Sequence, residues 1–364
     1  MDSPISPRLH LQVTVTHVSI DCGTPVFHIS AQTPLSGYLR STSNSTRLCK
    51  ELDRLYTYLC TRFPEHIPPI PPPITIGPGE AERESLRQKS EAFLQRVADH
   101  DLYRVSDGFK MFLESEFEFV PPPAPLGRRP TTGILRGFSS SVSGVKEVDV
   151  FFDQARTSVA GMQIGISALG RAMEKAGSTE KDCSKATGDV GAQLYAMTLN
   201  ENKLLVRATR TLGKGFTACE KLQTEEAAFL SGRLTSTLLT TQIRNTQTAQ
   251  AALDYRMRTL LEYETACKMT QKKLQAIDRL RSTAKIQQEK VDAALEELQE
   301  TKQVESDCRT QFRNASDVLK GEFPTFANVQ ERELAESIDE YARHQAIYSR
   351  KQLESWEQVL ADIM

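Results

Sequence analysis

The stretch CRTQFRNASDVLKGEFP, residues 308–324, decides how the second half of the chain folds. Within it Cys308, Phe312, Ala315 and Leu319 step by 4, 3 and 4, the spacing that lines one side of a helix. Further on, Leu334, Ile338 and Tyr341 step by 4 and 3, and Tyr348 follows one heptad later across the polar Gln345. Glu296, Glu297, Glu300 and Lys302 supply charged flanks. So narrow an apolar seam must be buried against other helices. Of 17 prolines, all but Pro324 lie within the first 130 residues. Proline removes a helical hydrogen bond and clashes with the preceding turn, so its near absence permits very long helices. The pattern predicts three antiparallel segments, roughly 145–198, 202–283 and 286–364. At about 1.5 Å per residue these span on the order of 80–120 Å, with a kink expected at Pro324. Three such segments cannot bury all of their seams, so a partner chain is expected to complete the coiled coil. Gly161 and Gly165 form a GxxxG that reads as close helix packing.

The first 130 residues are different. Leu9, Leu11, Val13 and Val15 alternate with His10, Gln12 and Thr14, the period of a half-buried strand. A second β-like segment covers Val26 to Gln32, and the polar run Ser41 to Thr46 reads as a loop. Lys50 to Phe63 is helical, with Leu52, Leu55, Tyr56 and Leu59 on one face and Pro64 closing it. Ile67-Pro-Pro-Ile-Pro-Pro-Pro73 predicts a solvated polyproline stretch, either a linker or a ligand for an SH3-type domain. Two helical segments follow, at Ser85 to Ala98 and Val105 to Phe119. This order of elements is α+β.

Composition narrows the function. With 25% charged residues and a net charge of −2, no global basic field points to nucleic acid. No apolar run approaches the roughly 20 residues that cross a bilayer, and Met1 to Leu9 has no signal-peptide core. The seven scattered cysteines form no CxxC pair, which predicts reduced thiols in the cytoplasm. The six histidines show no metal spacing, and there is no phosphate loop or nucleophile elbow. No enzyme activity, no metal and no cofactor are expected.

Two resemblances add to this reading. The segments ELDRLYTYLCTRFPEHIPPIPPP (51–73) and EAFLQRVADHDLYRVSDGFKMFLE (91–114) resemble a phox-homology (PX) domain. The segments SGVKEVDVFFDQ (143–154), ALDYRMRTLLEYETACKMTQKKLQAIDRL (252–280) and KIQQEKVDAALEELQETKQVESDC (285–308) resemble the BAR domain of retromer-associated sorting nexins. The combination implies an α+β PX-like domain at 1–120, a proline-rich linker with an amphipathic helix at 121–145, and an all-α BAR-type three-helix coiled coil at 146–364. It also implies a peripheral protein of endosomal membranes that senses or induces tubule curvature in endosome-to-Golgi transport. The implied partners are a second BAR-domain sorting nexin in a heterodimer, the retromer cargo-recognition subcomplex and anionic lipids. A cytosolic coiled-coil scaffold without lipid contact is the rival reading.

PX domains resembling this one hold phosphatidylinositol 3-phosphate with an Arg, an aromatic residue, a Lys and a second Arg. Here the corresponding positions hold Leu48, Cys49 and Pro73, which implies weak headgroup binding or none. Arg47 and Lys50 lie beside the lost positions, and Arg83 or Arg87 could supply the distal Arg. The helical insertion with which some relatives grip cargo peptides does not fit between Pro73 and Ser85. By the BAR resemblance, Lys272 and Lys273 fall on membrane-facing positions, and Arg279, Arg281 and Lys285 near the tip. In the linker, Ile134, Leu135, Phe138 and Val142 share a helical face with Val145. Arg128, Arg129 and Arg136 flank it, a pattern suited to a membrane interface, although Gly133, Gly137 and Gly144 weaken helicity.

Overall fold

The computed structural model describes residues 10–74, 79–123, 147, 149–197, 203–230, 235–281 and 288–364. Two compact units emerge, one of Met1–Ala160 with Asn245–Phe326, the other of Gly161–Arg244 with Ala327–Met364.

The first unit begins with an antiparallel meander, β1 (Gln12–Asp21), β2 (Thr24–Gln32) and β3 (Thr42–Leu48), in the order β1-β2-β3. Val15 pairs with Ile29 and Val26 with Leu48. Gly23 carries a positive φ of 77° in the tight turn joining β1 to β2, a conformation that suits a residue without a Cβ. The run expected to be a loop at 41–46 is β3. Its alternation is real but polar: Ser43, Ser45 and Arg47 point inward, so no apolar period marks it.

Helices α1 (Cys49–Arg62), α2 (Glu80–Asp99) and α3 (Asp107–Glu114) pack on this sheet. Leu52, Leu55 and Leu59 of α1, Phe93, Leu94 and Val97 of α2, and Phe109, Phe112 and Leu113 of α3 fill one core with Val13, Val15, Phe27 and Ile29. β1 is an edge strand, and its outward amides are covered by α2. Val13 N–H donates to Gln95 Oε1 (2.9 Å) and Val15 N–H to Glu91 Oε2 (2.9 Å), which blunts an edge otherwise open to pairing. The proline segment has no helix or strand, as its missing amides require. Its expected solvation is corrected, because Pro68, Ile70 and Pro71 are buried.

The long helices are α4 (Val150–Ala196), α5 (Lys203–Ala228), α6 (Thr235–Arg281) and α7 (Gln288–Ile363). The second expected segment holds α5 and α6, on either side of residues 231–234, which lie outside the described residues. α7 continues through Pro324. In the first unit, Phe152, Ala155 and Val159 of α4 meet Ala249, Ala252 and Leu253 of α6 and Leu319 of α7. Beside them Arg256 lies buried, its guanidinium 3.5 Å from the Phe152 ring and bonded to Glu147 Oε2 (2.5 Å) and Ser316 Oγ (3.0 Å). In the second unit a Cβ on Gly170 of α4 would meet Leu239 of α6 at 2.8 Å, so helix approach there needs glycine. Gly161 and Gly165 do not serve the close packing expected of them within this chain, since a Cβ on either meets nothing within 4 Å.

Candidate functional site

Arg47 is placed in the interior rather than beside a surface site, and is 1% exposed. All five of its N–H donors meet carbonyl oxygens: Nε reaches Phe112, Nη1 reaches Thr46 and Phe117, and Nη2 reaches Met111 and Ser115. Met111 and Phe112 lie in the last turn of α3, at the negative end of the helix dipole, where Met111 O also accepts from the capping Ser115 N–H. Burial pulls the guanidinium below its ordinary pKa, and the Glu51 carboxylate at 3.7 Å opposes that pull. Glu51, itself 3% exposed, accepts from Leu48 N–H (2.6 Å) and Phe119 N–H (2.5 Å). The pair locks β3, α1 and the chain after α3 together, leaving no Arg47 donor for a phosphate.

The other headgroup candidates lie apart. Lys50 is exposed and paired with Glu118 (2.9 Å), which also takes Arg54 (2.8 Å). Arg87 is held by Glu84 and Glu91 (2.8 Å each) and donates to Val15 O (2.8 Å), so it closes the β1 edge. Arg83 is exposed at the start of α2. The four do not converge: Arg47 is engaged in the core, Lys50 at Glu118 and Arg87 on the β1 edge.

Of the basic helical candidates, Lys272 is exposed, as are Arg279 and Arg281 in the last turn of α6. There they complement the helix dipole. Lys273 is tied to Glu297 of α7 by a short ion pair. Lys285, Ile134, Leu135, Phe138 and Val142 lie outside the described residues, as does Val145.

A junction that no sequence pattern announced joins the sheet domain to the long helices. Tyr56 of α1 hydrogen-bonds Thr248 of α6, and Ile67 packs on the Phe152 cluster. Glu322 of α7 receives three hydrogen bonds: a short one from His66 Nδ1, one from His100 Nε2 (3.0 Å) and one from Ile67 N–H (2.8 Å). Burial alone would raise this carboxyl, but the two imidazoles and the amide outweigh it and hold it at about 2. His66, His100 and Glu322 are too far apart in sequence to form a motif; only the docking of α7 brings them together.

The helices also leave large apolar side chains uncovered. Ile164 of α4 is 71% exposed; on α7, Ile338 is 56% exposed and Leu353 and Leu360 are each 57% exposed. Tyr341 and Ile347 of α7 are exposed as well. Thus the seam that predicted burial at Leu334, Ile338 and Tyr341 is only partly covered by this chain.

A three-stranded sheet with a helical cover, followed by very long helices, defines the class of PX–BAR chains. A PX domain model matches residues 38–116, and the model described as Vps5 C terminal like matches residues 129–362. The chain belongs to the Vps5 C terminal like family. It is 28% identical over 205 residues to sorting nexin-32 of Mus musculus, covering 53% of this chain and 50% of that protein. To sorting nexin-1 of Homo sapiens it is 25% identical over 292 residues, covering 77% and 54%. The chain thus spans about half the length of the curated relatives it matches. The cryo-EM structure of the SNX-BAR Mvp1 tetramer shares the fold, with a TM-score of 0.56, 12% identity, and coverage of 97% of this chain and 99% of that one. Among the described residues no helix is long and apolar enough to cross a membrane.

Proposed function

We propose that this chain is a subunit of a retromer-type endosomal coat, acting as one half of a heterodimer with a second BAR-domain sorting nexin. The dimer lies on anionic endosomal membrane, senses or induces tubule curvature, and serves retrograde transport together with the retromer cargo-recognition subcomplex. It works by binding and assembly, without a catalytic step. The observation that carries the reading is the uncovered apolar seam on α4 and α7. Large side chains spaced along long helices need a second set of helices to remove them from water, and each fully buried Leu or Ile contributes roughly 1.5–3 kcal/mol.

Membrane contact is assigned to the helices and the junction segment rather than to the PX-like pocket. The engagement of all five Arg47 donors supports this, as do Leu48 and Cys49 at the positions where a headgroup would need charge and an aromatic face. Lys272 and Arg281 supply exposed charge, each worth about 1 kcal/mol near an anionic surface. Ile134, Leu135, Phe138 and Val142 supply the apolar wedge.

Co-sedimentation with anionic liposomes, using the chain assembled with its partner, tests this. Lys272→Glu with Arg281→Glu should weaken binding roughly thirtyfold at low salt, and less as salt rises. Phe138→Glu should reduce tubulation at every salt concentration while dimers persist. Unchanged binding and tubulation in both variants would support the scaffold reading instead.

A further inference from the structure

We propose that His66, His100 and Glu322 bind one divalent transition-metal ion of the zinc class, which fastens the PX-like domain to α7. One ligand atom from each lies within 4.8 Å of the others, drawn from the turn after α1, the end of α2 and the middle of α7. Two imidazole nitrogens and a carboxylate oxygen are a ligand set that zinc takes with water in the fourth position. His66 is 6% exposed, so part of the set is already withdrawn from solvent.

The outer groups fit as well. Ile67 N–H donates to Glu322 Oε2 at 2.8 Å, which orients the carboxylate and leaves Oε1 turned to the histidines. Glu65 Oε1 lies 3.9 Å from His66 Nε2, on the far side of the ring from the ligating Nδ1. At that distance the carboxylate acts on the ring by charge and not by a hydrogen bond. His100 is stacked on the Tyr103 ring at 3.8 Å, and Phe63 and His66 close around the same ring.

An independent observation points to a missing polar partner. The Tyr103 side chain is 1% exposed, and its hydroxyl has no hydrogen-bond partner among the described residues. Its ring lies against both ligand imidazoles, 3.8 Å from the His100 ring and 5.8 Å from the His66 ring. A metal-bound water is the kind of polar partner that this buried hydroxyl lacks. One contact opposes the assignment: Leu102 N–H donates to His100 Nδ1 at 3.3 Å, and metal on Nε2 places a proton on Nδ1. Leu102 is exposed, so water can take over its amide, and the exchange costs little beside a metal–nitrogen bond.

The test uses the full chain, stripped by chelation and with its accessible thiols alkylated, because Cys22 and Cys183 are exposed competitors for zinc. Calorimetric titration with Zn2+ alone, checked by elemental analysis, should give one equivalent per chain and a rise in unfolding temperature. His100→Gln and Glu322→Gln should each weaken binding by about a hundredfold or more, beyond the loss typical of outer-shell changes. Co2+ in place of Zn2+ should give the visible bands of a tetrahedral site in the wild type and not in either variant. Circular dichroism confirms folding, and His100, at the surface end of the cluster, is the milder change. No stoichiometric zinc uptake by the wild type would overturn the proposal, as would uptake unaffected by both substitutions. A junction that responds to pH and not to zinc would also overturn it, leaving the cluster as hydrogen bonds alone.

Discussion

The PX-like domain hides polar residues inside itself, whereas α4 and α7 leave apolar ones outside. Arg47, Glu51, Ser43 and Ser45 lie buried within the sheet domain, while Ile164, Ile338, Leu353 and Leu360 stand in solvent. Each arrangement is stable only on a condition. A buried guanidinium holds if every donor finds an acceptor, and in Arg47 every donor does. An exposed seam on a long helix holds if another chain covers it. The contrast separates a domain that completes itself from a helical region whose apolar seam this chain leaves partly uncovered.

The comparison can be broken most sharply at Arg47. Arg47→Ala orphans the carbonyls of Phe112 and Ser115 and leaves the Glu51 carboxylate buried without its cation. A loss of about 3–5 kcal/mol is expected, seen as hydrogen-exchange protection lost from β3, α1 and α3 while the second unit keeps its own. Arg47→Lys should rescue little, because an ammonium cannot reach carbonyls in a planar fork.

A second break lies at the base of the helices. Arg256→Met removes the bond to Glu147 and the stacking on Phe152, and takes the cation away from a buried carboxylate. Thermal unfolding should report a loss of about 3 kcal/mol. If the loss is negligible, the pair is ornamental and the helices hold this end by apolar packing alone.

Smaller effects sharpen the helical side. Ile338→Glu with Leu353→Glu should weaken dimerisation roughly ten- to a hundredfold and leave the PX-like domain unmoved, because neither residue is buried within the chain. Gly170→Ala pushes a Cβ against Leu239 and should cost about 1–2 kcal/mol. Gly161→Ala meets open space and should stabilise α4 by up to about 1 kcal/mol, the difference in helix propensity. Calorimetric unfolding of these two variants tests whether glycines on one helix serve two different ends.

The same contrast explains how much could be read from the sequence. The long helices were legible because their spacing and lack of proline are local properties of the chain, and so were the leucines of α1 and the aromatics of α3. β3 was hidden, since its inward residues are Ser43, Ser45 and Arg47 and the alternation has no apolar signature. Misreading that strand is what left Arg47 looking like a surface residue. The inward polar residue was the available signal: a cation flanked by small polar residues at period two, with an acid four positions on at Glu51. The His66–His100–Glu322 junction was beyond sequence reasoning, because nothing local relates a residue of the proline-rich turn to the middle of α7.

In the proposed dimer the helices of this chain are finished by a second BAR-type chain. Sedimentation equilibrium at micromolar concentration measures that directly, with the chain alone and mixed with its partner. A dimer mass is predicted for the mixture, and for the chain alone self-association or poor folding of the helices. A stable, well-folded monomer under both conditions would contradict the account.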